Sequence, residues 1–185
     1  WERGRETIWP RFAEASANLV HAAVPDTRVR APLSVVPGLA GVFAMSDATG
    51  MLQHAIGTVA DRRHGYCLDD NARALMLMNV AGGIDAGERM ARAGQYAAFI
   101  QHAWNPDHGL FRNFMTFDRS WCEDIGSEDS NGRTLWALGH TIELSRDPDL
   151  RAWARSWYDR VLPNLAALRS PRTIAFVMLG AAARL

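Results

Sequence analysis

The chain has 185 residues, 48% of them hydrophobic, and its 20 basic residues balance its 20 acidic ones, giving a formal net charge of zero. All the basic residues are arginine. This length and apolar content suit one ordinary domain with a sizeable core and exclude a disordered tail; the neutral balance argues against a dedicated nucleic-acid or acidic-membrane binder, and no apolar run reaches the roughly 18 residues of a bilayer span.

The periodicity is helical almost throughout. Thr7 to Ala23 predicts a helix with Ile8, Phe12, Leu19 and Val20 on one stripe, Pro10 being tolerable only near its start. Residues 24–45 carry Pro25, Pro32 and Pro37 without a clear period, and read as a linker or crossing segment. A turn follows at Asp47-Ala48-Thr49-Gly50. The next helix is expected from about Asp69 to Val80, with Gly82-Gly83 as its stop. Another runs from about Ala86 to Ala103, and Asn105 to Gly109 is a turn. Leu110 to Phe117 reads as a short extended or hairpin segment. Helices are then expected from near Asp129, from about Pro148 to Leu165, and after Ser170-Pro171. The chain opens on Trp1 and stops in the Ala-rich pattern 181–185, which reads as a piece of a longer chain.

Cys67 and Cys122 cannot make a disulfide framework and lack the paired spacing of a zinc site. They read as reduced thiols of a cytoplasmic protein. His54, His102 and His140 have no partners at metal-ligand spacing, so no metal is expected, and no phosphate loop or nucleophile elbow points to a cofactor or to serine catalysis.

An internal repeat is the most informative feature. Asp69, Asn71, Arg73 and Leu75 recur sixty positions on as Asp129, Asn131, Arg133 and Leu135, and Arg172-Thr173-Ile174 is a weaker echo. Each unit is a helix opened by polar residues and followed by a more amphipathic helix. One such hairpin cannot bury both faces, whereas stacked hairpins can. The expected fold is therefore all-α, an α/α toroid or solenoid of which this chain holds about two and a half to three hairpins; a closed ring of six would need roughly twice the length.

In such a stack the starts of the inner helices lie at one end, so residues 61–71, 121–133 and 170–173 converge. Asp69, Asp70, Glu128 and Asp129 are the candidate catalytic carboxylates. Their competing role is ordinary: acids cap helix starts and suit the first turn. The excess of acids among Glu123, Asp124, Glu128 and Asp129 favours function. Arg73 and Arg133 stand four positions after Asp69 and Asp129, where they can pair with them and knit neighbouring repeats, or can hold sugar hydroxyls or a carboxylate. Candidate substrate-binding residues are His64, Tyr66, Asn71, Arg73, Trp121, Asp124, Asn131, Arg133 and Trp136, because aromatic faces among Asp, Asn and Arg suit carbohydrate. Trp153 and Trp157 read as packing.

The segments His64-Gly65-Tyr66-Cys67-Leu68-Asp69-Asp70-Asn71-Ala72-Arg73-Ala74-Leu75 and Gly126-Ser127-Glu128-Asp129-Ser130-Asn131-Gly132-Arg133-Thr134-Leu135-Trp136-Ala137-Leu138-Gly139 resemble the six-hairpin, glycosidase-like domain at the C-terminus of some bacterial glycosyltransferases. Asp47 to Ala55, Asp61-Arg62-Arg63, Gly109 to Phe114 and Ser170-Pro171-Arg172 fit that pattern too, so the similarity runs from about Ser46 to the end. The Met45 and Leu68 positions depart from the polar or basic residues of the pattern. The resemblance implies that 46–185 is the N-terminal half of the toroid and that 1–23, with Ile8-Trp9-Pro10, is the last helix of a preceding glycosyltransferase domain. It also implies a carbohydrate substrate or glycan as partner. Three functions follow as expectations. The first is a glycoside-processing enzyme using two carboxylates, about 6.5–9.5 Å apart for inversion or about 5–5.5 Å for retention. The second is a non-catalytic glycan-binding or scaffolding module for the fused transferase. The third is a helical-repeat protein that binds other proteins through a broad groove.

Overall fold

Most helices of the chain open on a side chain that satisfies their first free N–H groups, and this fixes where they begin. The computed structural model describes residues 2–23 and 38–184. Helix α1 is Glu2–Ala23. It begins five residues before the predicted start, because Glu2, Arg3, Arg5 and Glu6 are good helix formers, and Pro10 consequently lies inside it. The expected linker falls largely on residues 24–37, outside the described residues; its last part is a short helix, α2, Ala40–Ala44. The chain divides into two compact units, Trp1–Val35 and Val36–Leu185, and every helix after α1 belongs to the second.

Helix α3 is Leu68–Val80 and α4 is Ala86–Ala103, opened by Asp85, which accepts from the N–H groups of Gly87 and Glu88. Helix α3 ends on Ala81, just before the expected Gly82-Gly83 stop. Helix α5 is Glu128–Leu144, opened by Ser127. Helix α6, Pro148–Val161, is opened by Asp147 and stops short of the expected Leu165, because Pro163 cannot continue the α-helical ladder; residues 162–167 tighten into a 3₁₀ turn. Helix α7, Pro171–Ala182, is opened by Ser170. Among the described residues the chain is mostly helical, with seven α-helices and a few two-residue strands.

Three antiparallel ladders sit at the helix ends. Strand β1 (Ala55–Ile56) pairs with β2 (Val59–Ala60), and β4 (Trp104–Asn105) pairs with β5 (Leu110–Phe111). Strand β3 (Tyr66–Cys67) pairs with β6 (Phe114–Met115), joining the start of α3 to the expected extended segment.

Helices α3 and α4 form one hairpin and α5 and α6 the next, with α3 packed on α5 and α5 on α7. Helices α3, α5 and α7 run in the same direction. Gly132 lies against Thr173, and Gly139 against Gly180 seven residues further on in each helix. A Cβ on Gly139 would collide with the Gly180 carbonyl oxygen, so only glycine permits this approach of α5 to α7. The core lies between the hairpins: Leu68, Leu75 and Met78 of α3, Tyr96 and Ile100 of α4, Leu135 and Leu138 of α5, and Tyr158 and Val161 of α6 are all buried.

Candidate functional site

The starts of α3, α5 and α7 come together at one end of the stack, and a chain of ion pairs shows it. Arg73 binds Asp70 at 2.7 Å and Asp69 at 2.5 Å. Arg133, on the next inner helix, pairs with the same Asp69 and lies 3.4 Å from Asp129. Arg172 of α7 closes on Asp129 at 2.7 Å. The Arg133 guanidinium is largely covered and sits over the Phe176 ring, 4.3 Å from its centroid. Asp69 and Asp129 therefore each hold two arginines. This is the knitting role for the Asp–Arg spacing, made across three helices as well as within two of them.

Beneath this ladder the repeat has a second, hidden function. Asn71 and Asn131 are buried, and each spends its amide on backbone. The Asn71 Oδ1 accepts from the Met51 N–H at 2.8 Å, while its Nδ2 donates to the carbonyls of Met51 and Cys67. The Asn131 Oδ1 accepts from the Phe111 N–H at 2.8 Å, while its Nδ2 donates to the carbonyls of Phe111 and Ser127. In both repeats the asparagine clamps the residue twenty positions earlier and the carbonyl four earlier. Both side chains are buried with both amide N–H groups used on backbone, so neither faces a ligand at the surface.

Other expected site residues are likewise engaged. The Glu128 carboxylate accepts from the backbone N–H groups of Arg169 and Ser170, at 3.1 and 2.7 Å, and so holds the entry to α7. Tyr66 is buried, donating its hydroxyl to Asp47 at 2.7 Å and stacking on Phe117, and offers no open ring face. Trp136 is half-buried and stacks on Phe176, centroids 5.5 Å apart. Trp121 packs on Phe99 and His102. Asp124 is exposed; its backbone carbonyl accepts from Asn105.

Asp70 is the carboxylate that stands apart. It lies at the outer end of the ladder, 25% exposed, and holds one arginine rather than two. Burial pushes its pKa above the ordinary carboxylate value, and Asp69 adds to that, against the lowering effects of Arg73, His54 and Arg133. The His54 ring meets the His64 ring edge-on at 4.4 Å between centroids, and the His64 Nε2 lies 3.7 Å from Asp61. Asp61 is the opposite case: its hydrogen bonds with Arg63 hold its pKa down at about 2. One carboxylate, Asp70, is thus pushed up by burial, and another, Asp61, is held down by its arginine.

Sequence reasoning missed His54 as a site residue, although it lies in a segment quoted for the resemblance. It also missed Asn113. The Asn113 Oδ1 accepts from the Cys67 thiol and from the Asp69 N–H, and its carbonyl accepts from the Leu68 N–H, so it replaces the N-cap side chain that Cys67 lacks. Burial pushes the Cys67 thiol up to about 11, making it an inert packing group. No group of three or more His, Cys, Asp or Glu among the described residues could hold a metal ion. No helix among them is long and apolar enough to cross a membrane. No family model, curated protein or solved structure matches the chain.

Proposed function

We propose that this chain is a carbohydrate-active domain, part of an α/α toroid that works beside a glycosyltransferase, and that its mouth at the starts of α3, α5 and α7 holds a glycan. The observation that carries this reading is the ladder of alternating aspartates and arginines from Asp70 to Arg172, which lines one surface with fixed, partly exposed donors and acceptors. Sugar hydroxyls are recognised by such bidentate polar groups, and a ladder already pre-organised by its own ion pairs loses little freedom on binding.

The ladder favours holding the glycan over the expected two-carboxylate hydrolysis. Asp69 and Asp129 each bind two guanidinium groups, and Glu128 is tied to the α7 entry, so three of the four expected acids have structural work. One observation supports glycoside processing as the second reading: the raised pKa of half-buried Asp70 beside His54 suits a general acid. A panel of oligosaccharides, assayed for binding by calorimetry and for cleavage by product analysis, tests both. Saturable binding without cleavage, weakened in Arg73→Gln and Arg172→Gln, is the expected result. Cleavage lost in Asp70→Asn with binding kept would move the assignment to an enzyme. Neither binding nor cleavage across the panel would defeat both readings.

A further inference from the structure

The opposite end of the helix stack carries a cavity that the glycan reading does not use. Its volume is about 340 Å³, within the range of small-molecule sites. It lies where the end of α3, the start of α4 and the α5–α6 turn meet. Met78, Met90, Ala93 and Leu150 make an apolar wall, and Arg89 and Arg146 are cationic members of its lining. Met90 is exposed although apolar, and methionine is the side chain that adapts best to a ligand's shape.

The charges around the cavity are unevenly committed. Asp85 accepts from the N–H groups of Gly87 and Glu88, and Asp147 accepts from those of Asp149 and Leu150, so both carboxylates cap helices. Asn79 donates to His140 and Thr141, away from the charged groups. Neither Arg89 nor Arg146 is in a salt bridge among the described residues. Arg89 also interacts electrostatically with Asp85, and the one carboxylate of the lining, Asp147, is engaged by its helix cap. Two guanidinium groups in no salt bridge among the described residues, beside an apolar wall, are complementary to one kind of ligand: a short aliphatic chain ending in an anion.

We propose that this cavity is a second ligand site, independent of the mouth, for a small amphipathic anion, with Arg89 and Arg146 receiving the head group and Met78, Met90 and Leu150 receiving the chain. The test titrates the full chain, labelled at its methionine methyls, with n-hexanoate, n-hexyl phosphate and n-hexylamine. The expected result is a saturable shift of the Met78 and Met90 methyl signals with at least one of the two anions and none with the amine. The anion that binds more tightly identifies the head group. Arg146→Gln, an exposed change that leaves the fold intact, should weaken that binding about tenfold, and Arg89→Gln similarly. Shifts of equal size with hexylamine, affinity unchanged in both arginine variants, or no saturable shift with either anion would overturn the proposal.

Discussion

The starts of α3 and α5 are two copies of one pattern that end up doing different things. In both, the first aspartate joins the arginine ladder and the asparagine clamps a strand or loop residue twenty positions earlier. They differ at the positions between the repeated ones, and one of these differences is an acid. Where α3 has Asp70, partly exposed with a raised pKa, α5 has Ser130, buried and hydrogen-bonded to Ser127. The repeated residues build the frame, and Asp70, which is not repeated, is partly exposed and holds a single arginine. In stacked hairpins the shared positions hold neighbouring repeats together.

The equivalence of the two starts breaks most easily at the asparagines. Asn71→Ala and Asn131→Ala should each cost about 2–3 kcal/mol, because each leaves a buried backbone N–H, that of Met51 or of Phe111, without its side-chain acceptor. Urea unfolding measures both, and similar losses are expected; a neutral effect in either would end the equivalence. Gly139→Ala should cost about 2 kcal/mol by forcing α5 away from α7, with no counterpart at exposed Gly94, where an added methyl meets open space. In the ladder, Arg133→Gln should cost about 1–2 kcal/mol, since the guanidinium is largely covered and serves two aspartates. Arg172→Gln, whose side chain is 71% exposed, should change stability by less than about 0.5 kcal/mol.

The pH dependence sharpens the contrast further. Because burial raises the Asp70 pKa in the folded state, the native protein binds that proton more tightly than the unfolded chain does. Its contribution to stability therefore falls as pH rises from the ordinary carboxylate value through the raised one. Asp70→Asn should remove that fall, while Asp61, held down by Arg63, should titrate far below Asp70 in carboxyl-carbon NMR. A common midpoint for the two would contradict the difference between their environments.

Much of this was legible in the residues. The α4 bounds follow from periodicity and a capping aspartate, and the sixty-residue repeat announces that α3 and α5 share a neighbourhood. The Asp69–Arg73 and Asp129–Arg133 spacings disclose intrahelical pairs, because positions four apart share a helix face. What spacing does not disclose is partnership between helices. That Arg133 reaches Asp69, or that Arg172 reaches Asp129, depends on the depth of the α3–α5 and α5–α7 contacts, the second of which Gly132, Gly139 and Gly180 set. The two asparagines read as ligand-binding for the same reason. Their partners, Met51 and Phe111, are backbone groups in irregular segments or short strands, and backbone groups leave no mark in a sequence. His54 was overlooked because its neighbour His64 comes from a turn made by the β1–β2 hairpin and the residues after it.

The most direct test follows the carboxyl-carbon signals of Asp69, Asp70 and Asp129 while the oligosaccharide panel is titrated in. With a frame of doubly paired aspartates and one acid that holds a single arginine, the Asp70 signal should move saturably with at least one glycan while those of Asp69 and Asp129 stay near their starting positions. Movement of Asp69 and Asp129 with Asp70 silent, or no movement with any glycan, would contradict the division of labour between the two helix starts.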